Sequence, residues 1–211
     1  MIGARERGNE GGRTLDRIVN FSDAVFAIVI TLLVLEIHVP QTPPALVSQE
    51  LPSRILTLSP KFLSYVVSFL VITIYWQAHH RVFRPISSYD RALLWLNFMF
   101  LMAIAFLPFP TSLLGEYSGE QISVAIYAAN AAIASLLLVS ISWYATAGHR
   151  LVAPDSVDDG VERLQRVQGL AVPLVFLLSI GISFFSPTAA MYSWLLLAVT
   201  DPIIRRVSCR Q

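Results

Sequence analysis

The sequence predicts an all-α integral membrane protein with six transmembrane helices and both termini in the cytoplasm. Three observations predict this fold class. The composition is 55% hydrophobic and only 14% charged, with a mean hydropathy of +0.62, which is far too apolar for a soluble domain. Six apolar stretches each approach the ~20 residues that cross a bilayer. The basic residues collect at one end of these stretches, as the positive-inside rule requires.

The first predicted span is roughly residues 18–39, and it follows a segment with four arginines. It is longer than the apolar region of a signal peptide and has no small-x-small cleavage pattern before Glu36, so we interpret it as a retained helix. A proline-rich loop comes next. Ser59 and Pro60 then suit a helix start, which places the second span at roughly residues 60–79.

Four further spans complete the predicted unit, at roughly residues 92–113, 122–146, 168–185 and 188–204. Pro108 and Pro110 predict a kink or a stop near the outer end of the third span, and Pro173 predicts an interruption of the fifth. The fourth span is rich in Ala and Ser, which permits close contacts between helices. No internal repeat is visible, so the chain is expected to form one six-helix repeat over residues 1–211.

The basic residues support this topology independently of hydropathy. With the N-terminus inside, only Arg54 and Lys61 of the 15 basic residues fall outside. The inner segments then hold the other thirteen: Arg5, Arg7, Arg13, Arg17, Arg81, Arg84, Arg91, Arg150, Arg163, Arg166, Arg205, Arg206 and Arg210.

Composition and motifs also exclude several functions. The 15 Lys and Arg nearly balance the 14 Asp and Glu, so nucleic acid is not an expected partner. The single cysteine, Cys209, allows no intrachain disulfide and no cysteine-based metal site. His79 and His80 lie about 100° apart on a helix and cannot share one metal ion. No Gly-x-Ser-x-Gly or His-Glu-x-x-His motif is present, and we expect neither an enzyme nor a cofactor.

Three acidic residues fall within the predicted spans, where an ionisable group is costly enough to be a functional candidate. Asp201 is interpreted as an interfacial residue paired with Arg205 or Arg206. Glu36 lies near the outer headgroups, where it can be solvated. Asp23 lies about one turn inside the first helix and is the strongest candidate of the three.

The first helix divides into two faces around Asp23. At about 100° per residue, Asp23 and Ile28 differ by about 140° around the helix axis, whereas Ile28, Leu32 and Leu35 share one stripe. On spacing alone, this apolar stripe faces either lipid or another helix.

The same residues resemble a known family. The motif Arg17-x-x-x-Phe21-Ser22-Asp23, with the apolar run that follows it, resembles the first-helix signature of the transmembrane protein 175 family of potassium channels, in its prokaryotic single-repeat branch. The similarity covers roughly the first 115 residues. It continues through Tyr75-Trp76-x-x-His79-His80-Arg81-x-Phe83, through Leu96-Asn97 and through Phe106-Leu107-Pro108-Phe109.

The resemblance implies a homotetramer in the lipid bilayer whose pore is lined by the first helix of each subunit, with K⁺ as the permeant ion. Like the family, this chain lacks the Thr-Val-Gly-Tyr-Gly filter of other potassium channels, and it has no arginine-repeat voltage sensor. The expected location is the plasma membrane of a bacterial-type cell, with several membrane crossings.

The resemblance also implies roles for individual residues. Ile28, Leu32 and Leu35 are expected to form a hydrophobic constriction that expels water, and Thr31 is expected to give modest selectivity for K⁺ over Na⁺. A buried polar network is expected to join the first helix to its neighbours, since buried charges are tolerated only when paired. Its expected members, counted together with the rest of the motif, are Arg17, Phe21, Ser22, Asp23, His79 and Asn97.

An ion- or proton-coupled secondary transporter is the alternative function, because such carriers also use membrane carboxylates such as Asp23 and Glu36. Carriers typically show inverted repeats or helices broken near the midplane. Here the Gly and Pro interruptions lie at the ends of the spans except for Pro173. A channel conducts passively, whereas a carrier saturates and couples to a second solute.

Overall fold

A computed structural model of the chain describes residues 2–152 and 159–194, and the side chains of residues 14–152 and 169–194. The described residues are helical, apart from short connections and one isolated bridge between Ile86 and Val152. In chain order the α-helices are α1 (Ile2–Leu32), α2 (Val47–Leu56), α3 (Ser59–Phe83), α4 (Arg91–Phe106), α5 (Pro108–Glu116), α6 (Gln121–Thr146), α7 (Asp159–Ser183) and α8, which is described over residues 187–194.

Four helical segments in the described part of the chain are long and apolar enough to cross a membrane. They are Thr14–Glu36, Ser59–Phe83, Arg91–Glu116 and Gln121–His149, and a shorter apolar helix covers Gly169–Ser183. The all-α, multi-pass class is therefore confirmed. Most of the predicted sixth span, from residue 195 onward, lies outside the described residues, so the count of six spans and the position of both termini stay predictions.

The first connection differs from the predicted proline-rich loop, because it contains helix α2. Pro43 precedes a 3₁₀ turn, Pro44–Leu46, that leads directly into this helix. Val47, Leu51 and Ile55 recur every four residues, which is a helical spacing. Four prolines in this connection obscure the short pattern, and one of them, Pro52, lies inside the helix.

Prolines affect the other helices less than the sequence suggests. A turn at Leu107 separates α4 from α5 in the third span, but Leu107 keeps helical angles (φ −54°, ψ −35°), so the chain continues as helix to Glu116. Pro108 occupies the first turn of α5, where its missing N–H costs no hydrogen bond. The predicted interruption at Pro173 is wrong, because α7 runs through it. Membrane helices tolerate such prolines when neighbours satisfy the freed carbonyl.

Helices α3, α4 and α6 form the core of the bundle. Ile72, Phe100, Ile104 and Ile141 are fully buried there. Buried alanines on α6 let the neighbouring helices approach closely, which fits the Ala-rich composition of the predicted fourth span. A polar contact also joins α3 to α6, since the hydroxyl of Tyr75 lies 2.8 Å from Ser135 Oγ.

The connection after α3 is fixed against the segment that follows α6. The amide of Ser87 donates a hydrogen bond to the carbonyl of Leu151 at 2.8 Å, beside the bridge between Ile86 and Val152. Gly148 has a φ of 63°, a left-handed conformation that glycine adopts without a Cβ penalty, and it lets the chain turn back here. The ends of α3 and α6 are therefore held together at one membrane face.

Candidate functional site

One face of α1 is left uncovered by the rest of the chain. Ile28 is 57% exposed, Leu35 65% and Leu32 40%, whereas Phe26 and Val29 on the opposite face are buried. Only 22% of the most apolar window of this span is buried, against 39–56% for the other three spans. The apolar stripe of α1 is consequently available to another subunit, to lipid or to a water-filled conduit.

Thr31 lies on the same exposed face. Its hydroxyl donates a 2.7 Å hydrogen bond to the carbonyl of Ile28, one turn earlier on α1. This bond uses the only hydroxyl hydrogen, and the lone pairs of Oγ1 stay available as acceptors. The bond fixes the hydroxyl of Thr31 next to the backbone of Ile28.

The C-terminal end of α1 tightens into a 3₁₀ turn over Leu33–Glu36. Because a 3₁₀ helix has about three residues per turn, Leu35 stacks in line with Leu32. Leu33 is fully buried and anchors this turn. The predicted apolar stripe therefore stays continuous to the end of the span.

Glu36 does not join the apolar stripe. It lines a small crevice together with Lys61 and Ser64 of α3 and Gly115 of α5. Asp23 lies thirteen residues earlier, or about 20 Å along the helix at 1.5 Å per residue. The two carboxylates that a coupled transporter would use are thus not part of one site.

A buried hydrogen-bonded chain joins α1 to α3 and α4. Asn97 Nδ2 donates to Ser22 Oγ at 3.0 Å, and Ser22 Oγ donates to the carbonyl of Ile18 at 2.9 Å. The side-chain carbonyl oxygen of Asn97, Oδ1, lies 3.0 Å from His79 Nε2. This nitrogen must carry a hydrogen to donate to it. Phe83 stacks on the His79 ring at a centroid distance of 4.2 Å.

Asp23 belongs to a separate, half-exposed group. Its Oδ1 accepts a hydrogen bond from Trp76 Nε1 at 3.0 Å and lies 3.2 Å from His80 Nε2. The structure therefore pairs Asp23 with His80, whereas the adjacent His79 bonds Asn97. The sequence did contain a signal for this group. Trp76 and His80, the two partners of Asp23, are four residues apart and share one face of α3.

The other two motif residues lie outside both groups. Arg17 is exposed, and no described residue bonds or ion-pairs with it. Phe21 is 53% exposed and packs edge-on against Phe98 of α4 at 6.0 Å between ring centroids. Of the expected network, the structure thus joins Ser22, His79 and Asn97, with Asp23 nearby and Arg17 apart.

No group of three His, Cys, Asp or Glu side chains that could hold a metal ion occurs among residues 14–152 and 169–194.

Asp90, at the start of α4 and outside the spans, accepts hydrogen bonds from the amide of Leu93 and the hydroxyl of Tyr144. The bond from Leu93, and next that from Tyr144, lower the pKa of this carboxyl below its ordinary value. Asp90 is therefore anionic at neutral pH and caps α4.

Comparisons with known proteins identify one family. A family model described as the endosomal/lysosomal potassium channel TMEM175 matches residues 17–108. A potassium channel of Streptomyces collinus is 36% identical over 196 residues, covering 90% of this chain and 91% of that protein. A potassium channel of Chamaesiphon minutus is 34% identical, covering 88% of this chain and 90% of that protein.

A solved structure matches the fold as well. The crystal structure of a lysosomal potassium-selective channel TMEM175 homolog from Chamaesiphon minutus has a TM-score of 0.79 and 31% sequence identity. The match covers 90% of this chain and 97% of that one. The similarity thus extends beyond the first three spans to the helices that follow.

Proposed function

This chain belongs to the TMEM175 family of potassium channels, and from this premise we propose that it is a passive, potassium-permeable cation channel with a pore lined by α1. The uncovered stripe on α1 carries the proposal. An exposed row of Ile28, Leu32 and Leu35 on the least buried span is what a pore-lining helix presents before its partners assemble.

The assembly is proposed to contain four subunits, as the family resemblance implies, and the exposed stripe supports an oligomer. One α1 cannot enclose a conduit, whereas four copies around an axis bring four Ile28 side chains together. A ring of isoleucines that is narrow enough excludes water and closes the pore to hydrated ions, and a small dilation readmits them. We assign the constriction to Ile28, Leu32 and Leu35 on this basis.

Thr31 is proposed to supply the modest preference for K⁺. A ring of four hydroxyl oxygens beside the constriction partly replaces the water that a K⁺ ion loses there, and it provides fewer oxygens than a carbonyl-lined filter. The bond of Thr31 to the carbonyl of Ile28 fixes the orientation of its oxygen.

Replacing Thr31 by valine tests this role. Valine keeps the shape but removes the oxygen, so we expect the K⁺/Na⁺ permeability ratio to fall to roughly one. Thr31→Ser keeps the hydroxyl and is expected to keep the preference. The bi-ionic reversal potential measures both variants, and an unchanged ratio in Thr31→Val would remove Thr31 from the selectivity mechanism.

The bacterial relatives support a location in a bacterial plasma membrane. The function itself is tested by K⁺ flux into liposomes that contain the purified protein, without a proton gradient. Flux that runs down the K⁺ gradient supports the channel. Flux that requires an imposed proton gradient supports the coupled transporter and contradicts the proposal.

A further inference from the structure

The basic side chains at the two membrane faces differ in their partners. At the face where α3 begins, Arg54 forms an ion pair with Glu50 at 2.8 Å, and Lys61 forms one with Glu116. Both described cations at this face are therefore compensated by a carboxylate of the same chain.

At the opposite face, three arginines lack such partners. Arg84 at the end of α3, Arg91 at the start of α4 and Arg150 after α6 are all exposed. Among the described residues, none of them has a carboxylate within ion-pair distance. We refer to these three residues as the arginine cluster.

The arginine cluster is held in place by the backbone around it. The bridge between Ile86 and Val152 joins the connection that carries Arg84 to the segment that carries Arg150. The guanidinium of Arg150 lies 4.8 Å above the ring of Tyr144, and the hydroxyl of Tyr144 bonds Asp90, the residue next to Arg91. The three cations therefore share one small surface.

Asp90, the residue before Arg91, is a described carboxylate beside this surface, but its oxygens are already engaged. One accepts from the amide of Leu93 and the other from the hydroxyl of Tyr144. Within the described part of the chain, three arginines around this carboxylate leave an excess of positive charge. The surface is thus complementary to an anion.

Exposed tryptophans indicate the depth of the arginine cluster in the membrane. Trp95 lies four residues into α4 and is 63% exposed, and Trp143 lies three residues before the end of α6 and is 46% exposed. Exposed tryptophans near helix ends lie at the headgroup level. The arginines just beyond them are consequently at the level of the lipid phosphates.

From this placement we propose that the arginine cluster binds the phosphate of an anionic phospholipid in the leaflet at this face. A guanidinium matches two phosphate oxygens with parallel hydrogen bonds, which a diffuse counterion cannot do. The headgroup of a zwitterionic lipid carries its own cation beside the phosphate and therefore has no net negative charge. The site should therefore prefer phosphatidylglycerol to phosphatidylcholine.

The test compares lipid binding by the whole protein with and without the cluster. Native mass spectrometry or lipid exchange in nanodiscs measures the preference for phosphatidylglycerol over phosphatidylcholine. The triple variant Arg84→Gln/Arg91→Gln/Arg150→Gln is expected to lower that preference at least about tenfold, since each basic residue near an anionic surface contributes severalfold. These side chains are exposed, so the fold should be retained.

Three controls decide the outcome. Arg54→Gln removes an exposed but paired arginine at the other face and is expected to leave the preference unchanged. The triple lysine variant keeps the charge but loses the paired hydrogen bonds, so it is expected to keep only part of the preference. The proposal would be overturned if Arg54→Gln lowered the preference for phosphatidylglycerol as much as the triple glutamine variant does, or if the unmodified protein showed no such preference. Displacement of the lipid by millimolar inorganic phosphate would show a soluble-anion site instead and would also overturn it.

Discussion

Replacing Ile28 by asparagine is expected to raise passive cation flux at least about tenfold, which requires a drop of only about 1.4 kcal/mol in the barrier. The side chain of Ile28 is 57% exposed in its own subunit, so the change acts mainly on the surface that is proposed to face the partners. An amide in each of four subunits holds water in a constriction that isoleucine keeps dry.

A matched control separates this effect from a general leak. Ile133 on α6 is 53% exposed, close to the 57% of Ile28, but it lies on a different helix. Ile133→Asn should leave the flux at the level of the unmodified protein, and Ile28→Val should keep the constriction closed. If Ile28→Asn conducts no better than the unmodified protein, Ile28 is not part of the gate.

Replacing Asn97 by leucine is expected to destabilise the protein by about 1–3 kcal/mol. Asn97 is buried and bonds two partners on two different helices, Ser22 on α1 and His79 on α3. Leucine leaves the Nε2–H of His79 without an acceptor among apolar rings. A single interhelical hydrogen bond in a membrane contributes less than this range. The loss of stability therefore falls in the lower part of the range if the two helices shift and satisfy the freed groups elsewhere.

Thermal unfolding in detergent measures this loss, and Asn130 provides the matched control. Asn130 is also buried but makes one hydrogen bond, to the carbonyl of Ala103 at 3.1 Å. Asn130→Leu should therefore cost less than Asn97→Leu. In a double-mutant cycle, Ser22→Ala should add little to Asn97→Leu, since the bond between them is already lost. Fully additive losses would contradict the network.

Much of the bundle was predictable because its signals are strong. Apolar runs of ~20 residues fix where spans exist, and basic residues fix which ends lie together. Helical geometry alone also places Ser22 and Ile28 on different faces of α1, but which face meets the bundle is set by packing.

Other features could not be obtained from sequence patterns. The polar residues before Thr14 carry no apolar periodicity, so the extension of α1 back to Ile2 gives no signal. Which of the neighbouring histidines His79 and His80 faces Asn97 depends on the rotation of α3 relative to α4, and that rotation is set by packing. The exposure of Arg17 depends on tertiary placement in the same way.

The most direct test of the pore on α1 is passive K⁺ flux in liposomes with no proton gradient, measured for the unmodified protein and Ile28→Asn side by side. A pore lined by α1 predicts flux down the K⁺ gradient that exceeds Na⁺ flux, and a larger flux for Ile28→Asn. A silent unmodified protein with a conducting Ile28→Asn would still place the gate at Ile28. Flux in neither protein, or flux only when a proton gradient is imposed, would contradict the account.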